Sequence, residues 1–206
     1  MDAGSKVTTG GRERLLDAAE ELFAARGYDG ASIRAITRRA GVELGLANYH
    51  FGSKEELFRQ IMLRRAPILS ADLDDALVRA LRENTLGAIY AAFARTHLER
   101  LLNADTGWRS YMRLAADIAL KPHLGTPNSS VRDAFRPMLD RYVEALSRFR
   151  PDIDRDELRR VFYVFHMAVL SILINAEPGL PPDTPMGLGE MDSLIATMVR
   201  IFASGT

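Results

Sequence analysis

Apolar residues recur at every third or fourth position along almost the whole of this 206-residue chain, and strict two-residue alternation never persists. That spacing follows the turn of an α-helix and not the pleat of a strand, so the expected fold is all-α, with about nine or ten helices. The length allows one large domain or two small ones sharing a core. The longest apolar run, 161–176, is interrupted by His166, Ser171 and Asn175, so no segment reaches membrane-spanning length. The opening MDAGSKVTTGG holds no apolar stretch that could act as a signal peptide. Absence of cysteine excludes disulfides and thiolate metal sites. A cytoplasmic protein without membrane contact is expected.

Helix punctuation divides the chain. Residues 1–10 read as a disordered tail. A first helix is expected from about Gly11 to Arg26, with Leu15, Ala19, Leu22 and Phe23 as its stripe and Gly27 as its stop. Ser32 is a good N-cap for a short helix, Ile33 to Ala40, which Gly41 ends. A second short helix runs from about Glu43 to His50, and Ser53 caps a longer one. That longer helix should kink or end near Pro67, before a further helical stretch from Ser70 to Arg82. Helical segments follow at 85–103, 107–120, 129–150, 154–176 and 189–203, punctuated by Pro122, Pro127, Pro151 and a Pro/Gly-rich stretch from Glu177 to Gly189.

Two short helices joined by a glycine turn and packed on a longer first helix make a helix-turn-helix, a DNA-reading unit. Ile36, Ala40 and Val42 are apolar and hold the angle between the two helices, while Gly41 lets the backbone turn sharply. The outer side of the second helix then offers Glu43, Leu44, Gly45, Asn48 and Tyr49 to a DNA groove. The chain is electrically neutral overall, yet between Ser32 and Lys54 the cations Arg34, Arg38, Arg39 and Lys54 face only Glu43. A short basic segment on a neutral body suits a small DNA-reading head.

Residues 12–63 carry Leu22-Phe23, Gly27-Tyr28, Ser32-Ile33, Ile36, Ala40-Gly41-Val42 and Tyr49-His50-Phe51-Gly52-Ser53-Lys54-Glu55. In those motifs and their spacing the chain resembles the tetracycline-repressor (TetR) family of transcriptional regulators. The resemblance implies a helix-turn-helix domain at 11–53 and a helical effector-binding and dimerisation domain at 54–206. It implies phosphate contact for Ser32, helped by the helix dipole, and for Lys54. Tyr49 and His50 correspond to aromatics that reach the DNA backbone or buttress the recognition helix; His50 reads equally as a packed cap. Leu46-Ala47-Asn48 departs from the commoner Thr-Leu-Tyr pattern, so Asn48 stands where a tyrosine usually sits. Asparagine bonds bidentately to adenine, and Glu43 is suited to accept from cytosine or to serve only as an N-cap. Arg34 and Arg38 are candidates for phosphate contact, against the plainer role of solvating a helix face.

The last two long helices are apolar on more than one face, so each must bury a second side. The resemblance implies a four-helix dimer seam there, with an internal core as the plainer alternative, and Phe162, Phe165, Val169, Ile172, Leu194, Ile195, Met198 and Phe202 are its candidates. Dimerisation lets two heads about 34–36 Å apart read the half-sites of a near-palindromic double-stranded operator. An unidentified small-molecule effector is expected among the middle helices. Its candidate contacts are Tyr90, Phe93, His97, Trp108, Tyr111, Met112, Phe135, Met138, Tyr142, Phe165 and His166, each of which also reads as plain core. Trp108 and Tyr111 are the favoured pair, because a buried indole N–H and phenol O–H need partners.

Two other classes fit the same helix count. A di-iron enzyme needs Glu-x-x-His pairs, yet Ala47, Ala94, Leu120 and Tyr163 precede the four histidines at that offset. Motifs for nucleophilic, phosphate or zinc chemistry are missing as well. No catalytic residue, cofactor or metal site is therefore expected. The second class is an architectural or division-control DNA-binding protein of the same fold without an effector; an enclosed pocket of several hundred cubic ångströms favours the sensor over it.

Overall fold

The computed structural model describes residues 3–102, 106–120, 128–175 and 188–203, so residues 177–187 of the Pro/Gly-rich stretch, together with Pro122 and Pro127, lie outside it. Among the described residues there are nine helices and no strand: α1 (Ala3–Gly30), α2 (Ile33–Ala40), α3 (Leu44–Phe51), α4 (Lys54–Glu83), α5 (Leu86–Leu102), α6 (Thr106–Leu120), α7 (Asn128–Ser147), α8 (Arg155–Asn175) and α9 (Leu188–Ala203).

The short helices form where their caps dictate. Ser32 accepts a hydrogen bond from the Ala35 N–H (3.2 Å) and Ser53 accepts one from the Glu56 N–H (3.0 Å), each satisfying a donor with no partner inside its helix. Gly41 ends α2 at φ 64° and ψ 42°, in the left-handed region. There its N–H donates to the Arg38 carbonyl (3.3 Å), and the Val42 N–H donates to that of Thr37 (3.0 Å). Ile36 and Ala40 from α2 and Ala47 and Phe51 from α3 then close over Leu15, Ala19 and Phe23 of α1. Phe23 in turn meets Phe58 of α4 edge to face, ring centres 5.3 Å apart.

Three expectations need correction. The tail expected at 1–10 is helical from Ala3, because no proline precedes Gly10-Gly11 and each glycine costs a helix only about 1 kcal/mol relative to alanine. Gly11 is also where α1 passes close under α3: a Cβ there would stand 2.6 Å from Leu46 Cδ2. At the other end Gly27 does break the helical geometry (φ 70°, ψ 171°), although helical turns continue to Gly30. Finally, α4 runs through Pro67 as one helix. Pro67 is exposed, and a helix tolerates a missing donor best on its solvent side.

The uninterrupted α4 is the spine of the body. Tyr111 of α6 donates to the Met62 carbonyl (3.1 Å) and Tyr142 of α7 donates to the Leu73 carbonyl (2.8 Å), pinning both helices to it. Phe93 of α5 centres the inner cluster, with Tyr142 at 5.1 Å and Phe162 of α8 at 4.9 Å, both edge to face. Helix α9 packs on α5, and Phe202 reaches Phe165 of α8.

Replacing Gly41 with alanine forces a Cβ into left-handed backbone and is expected to cost about 1–2 kcal/mol, read as a lowered urea midpoint at unchanged slope. Gly41→Asn should recover part of that loss, since asparagine tolerates this region.

Candidate nucleic-acid interface and internal cavity

Helix α3 turns Ala47 and Phe51 inward and keeps Leu46 and His50 half-buried, so the side it shows to solvent is Leu44, Gly45, Asn48 and Tyr49. Tyr49 is 78% exposed, which is uncommon for so large an aromatic on a packed helix. Glu43 precedes α3 in extended backbone and makes no capping hydrogen bond with its side chain, which leaves the carboxylate facing solvent. The His50 ring lies against Tyr49 and Phe51, and its Nε2 is buried without a hydrogen-bond partner.

The cations around this face differ in what holds them. Arg39 is paired with Glu21 (2.6 Å), whereas Arg34, Arg38 and Lys54 make no ion pair among the described residues. Lys54 instead stands over the Tyr28 ring, with Nζ 4.4 Å from its centre, and 5.9 Å from that of Phe23. An ammonium held on an aromatic face keeps its charge and its donors available to an anion. Sequence reasoning named Tyr28 only within the Gly27-Tyr28 motif and gave it no role toward Lys54. Ser32 uses one lone pair in its cap, and its hydroxyl hydrogen remains at the N-terminal, positive end of α2.

Below the head, α4 to α8 line a partly open cavity of about 640 Å³. Of the residues expected to contact an effector, His97, Met112, Phe135, Met138 and His166 line it. Tyr90, Phe93, Tyr142 and Phe165 are packed in the aromatic core instead. Trp108 and Tyr111, the favoured pair, also lie outside the lining. Tyr111 bonds the Met62 carbonyl, and the guanidinium groups of Arg65 and Arg100 lie over the Trp108 ring at 5.0 Å and 4.2 Å. The lining that sequence missed includes Met62, Leu69, Val143, Met167 and Leu170, ordinary core types until the helices converge, and Phe162, which had been assigned to the dimer seam.

The seam candidates also divide. Phe162, Phe165, Val169, Ile195 and Met198 are buried within the single chain, and Ile172, Leu194 and Phe202 are half-buried against its core. The outward apolar side chains of these helices are Val164, 57% exposed, and Ile201, 63% exposed. Periodicity located the two apolar faces of α8 but did not say which one points inward.

Comparison with known proteins now decides the family. Residues 15–61 match the bacterial regulatory proteins of the tetR family, and residues 91–205 match the tetracyclin repressor-like C-terminal domain. The chain belongs to the TetR family. It is 27% identical over 177 residues to the transcriptional repressor AcnR of Corynebacterium diphtheriae, covering 78% of this chain and 92% of that protein. It is 27% identical over 165 residues to the transcriptional repressor KstR2 of Mycobacterium tuberculosis, covering 78% and 80%. The solved structure of the latter, a ketosteroid transcriptional regulator, superposes with a TM-score of 0.65 at 19% identity over 94% of this chain and 93% of that one. This TetR-family chain is thus an all-α transcriptional regulator with an N-terminal helix-turn-helix, and among its described residues no helix is long and apolar enough to cross a membrane.

The two cavity histidines give this TetR-family regulator a pH signature. Burial holds His97 down to about 4, with its bond to the Phe93 carbonyl opposing; burial and then His97 hold His166 down to about 3. Both folded values lie below the ordinary 6.5, so the unfolded chain binds protons that the folded chain refuses. Stability is full above pH 6.5 and is lost as pH falls toward 4, at up to about 1.4 kcal/mol per histidine per pH unit. Glu20 acts in reverse, because burial raises its carboxyl above the ordinary 4.5 despite Arg65. Urea midpoints should therefore drop from pH 6.5 to 5.5, and a His97→Gln/His166→Gln variant should flatten that drop.

Proposed function

We propose that this chain represses transcription by binding a near-palindromic, double-stranded operator as a homodimer, and that a small-molecule effector in the cavity releases it. In this reading residues 11–53 are the DNA-reading head and residues 54–206 the effector-binding and dimerising body, acting in the cytoplasm and on the nucleoid when bound. The observation that carries the reading is the exposed face of α3, flanked by the unpaired cations Arg34, Arg38 and Lys54. A helix presenting Leu44, Gly45, Asn48 and Tyr49 fits a major groove, where a thymine methyl meets an apolar side chain and adenine meets an amide. Ser32, Arg34, Arg38 and Lys54 then fix the register on phosphates, with Tyr49 beside the backbone and His50 buttressing from within. Glu43 accepts from cytosine or stays clear of the DNA, and operator specificity at one base pair separates the two.

The largely apolar cavity favours a sensor over an effector-free architectural protein, because concave, mostly apolar clefts of several hundred cubic ångströms are the usual small-molecule sites. Release works by population shift. The empty dimer spaces its heads for the operator, and an occupied cavity pushes α6 against α1 and α4 and changes that spacing. The dimer seam is formed by the outward faces of α8 and α9 around Val164 and Ile201. An enzymatic role has nothing behind it in the sequence.

Selection of bound duplexes from a random pool should return a near-palindrome with half-sites about one helical turn apart or a multiple of it. Failure of the purified protein to enrich any duplex would end this reading. With the operator in hand, Lys54→Ala should weaken all sequences alike and lower the salt dependence by about one released ion, whereas Asn48→Ala should cost about 1–3 kcal/mol and relax one base position. Val164→Asp and Ile201→Asp should each yield monomers in light scattering while leaving the helical circular dichroism unchanged. A persistent dimer would move the seam elsewhere.

A further inference from the structure

The cavity is apolar except for two histidines in its wall, the half-exposed Tyr163 and a charged rim. Helix α5 contributes His97 and α8 contributes His166, their ring centres 5.8 Å apart, amid side chains such as Leu69, Met112, Met138 and Leu170. The rim charges are already matched: Arg159 pairs with Asp140 (3.4 Å) and with Asp156, and Arg136 lies 3.9 Å from Asp133. Among the described residues each lining arginine thus has a carboxylate within 4 Å.

The histidines are not matched. The His97 Nδ1 lies 2.9 Å from the Phe93 carbonyl oxygen, which only accepts, so that nitrogen carries the proton and Nε2 presents a lone pair. The His166 Nδ1 is buried and has no hydrogen-bond partner. Unpaired polar atoms in an apolar wall cost free energy that a suitable ligand recovers. A charged group would stand among apolar side chains without a counter-charge. Among the described residues no cluster of three ligating side chains exists for a metal. A hydroxyl meets the need because it both donates and accepts. One oxygen about 2.8 Å from each of two nitrogens spans about 5 Å between them, compatible with the observed ring separation.

We propose that the cavity takes an uncharged, hydroxyl-bearing apolar molecule, an alcohol or a phenol, whose O–H is held between His97 and His166. The inference rests on the sensor reading given above and names the ligand class for the same cavity. His97 accepts the hydroxyl hydrogen at Nε2, and His166 donates to the hydroxyl oxygen. The rest of the ligand lies along the apolar wall and supplies the affinity, while the hydroxyl supplies the selection. A site built to bond a hydroxyl rejects the analogue lacking it far more strongly than an apolar site rejects a missing methylene.

The test uses three matched probes, 4-nonylphenol, nonylbenzene and 4-nonylbenzoate, titrated calorimetrically into the full-length dimer at pH 7.5. The phenol should bind at least tenfold more tightly than either of the others. His97→Leu and His166→Leu should each erase that preference while retaining binding of nonylbenzene, and His97→Gln, which keeps an acceptor, should restore part of it. Circular dichroism and urea midpoints identify any variant that fails to fold, and the wild-type ranking alone still decides the matter. Equal affinities for phenol and hydrocarbon, tightest binding of the benzoate, or binding of none of the three overturns the inference. Operator release is scored separately. Selective binding of the phenol without release would leave the ligand class standing and sink the sensor reading, and release by all three alike would do the opposite.

Discussion

The head and the body of this regulator are joined through a row of charges that runs from the exposed Asp17 and half-buried Glu13 to the buried Glu20. Glu13, Asp17 and Glu20 share one face of α1, and Arg64 and Arg65 of α4 meet them: Arg64 reaches Asp17 (2.6 Å) and Glu13 (3.0 Å), and Arg65 reaches Glu20 (3.3 Å). Glu20 is 2% exposed, with its second oxygen buried and unbonded. Burying a carboxylate is costly, and its attraction to one guanidinium recovers the cost only when the geometry is held tightly. Burial accordingly raises the Glu20 carboxyl despite Arg65. The same Arg65 covers one side of Trp108 of α6, and Arg100, itself bonded to Asp72 (2.8 Å), covers the ring at 4.2 Å. Four helices are therefore tied to one another through a few charged groups.

That joint explains why the cavity and the DNA-facing helix are not independent objects. Met112, in the cavity wall, lies one turn beyond Trp108 on α6, and Tyr111 between them donates to the carbonyl of Met62, another wall residue. A ligand that displaces α6 must disturb either this hydrogen bond or the stack on Trp108. Apolar packing alone would absorb such a shift by rotamer adjustment. Directional bonds to a buried carbonyl and a buried carboxylate do not, so displacement is passed on to α1 and α4.

Sequence was most informative where local chemistry decides structure. Ser32, Gly41 and Ser53 mark helix ends through interactions within a few residues, and both the boundaries of α2 and the exposed face of α3 followed from them. It was least informative where partners come from afar. Pro67 stood as a strong local signal for a break, yet the long α4 is held by tyrosines of α6 and α7, forty-nine and sixty-nine positions distant from the carbonyls they bond. The cavity was half legible: His97 and His166 stood out as polar residues on apolar helices, but Leu69 and Leu170 differ from other core leucines only in that nothing packs opposite them. Trp108 misled because a large aromatic beside the middle helices suggests a ligand wall, and here two arginines cover its ring.

The outward face of α8 shows the same limit from the other side. Phe165 and Val169 each fall one position from Val164 and Ala168, which is roughly a third of a helical turn. Both rows are apolar, so periodicity offers two equivalent choices for the inward face. What separates them is shape: Phe165 inserts among Tyr90, Phe93 and Phe202, where aromatic edges and faces interlock, whereas Val164 has no such neighbours. Bulky aromatics go to the core that can seat them, and smaller aliphatic residues remain for a flatter surface. A pattern of apolar and polar letters carries the first half of that rule, and only the assembled ring cluster carries the second.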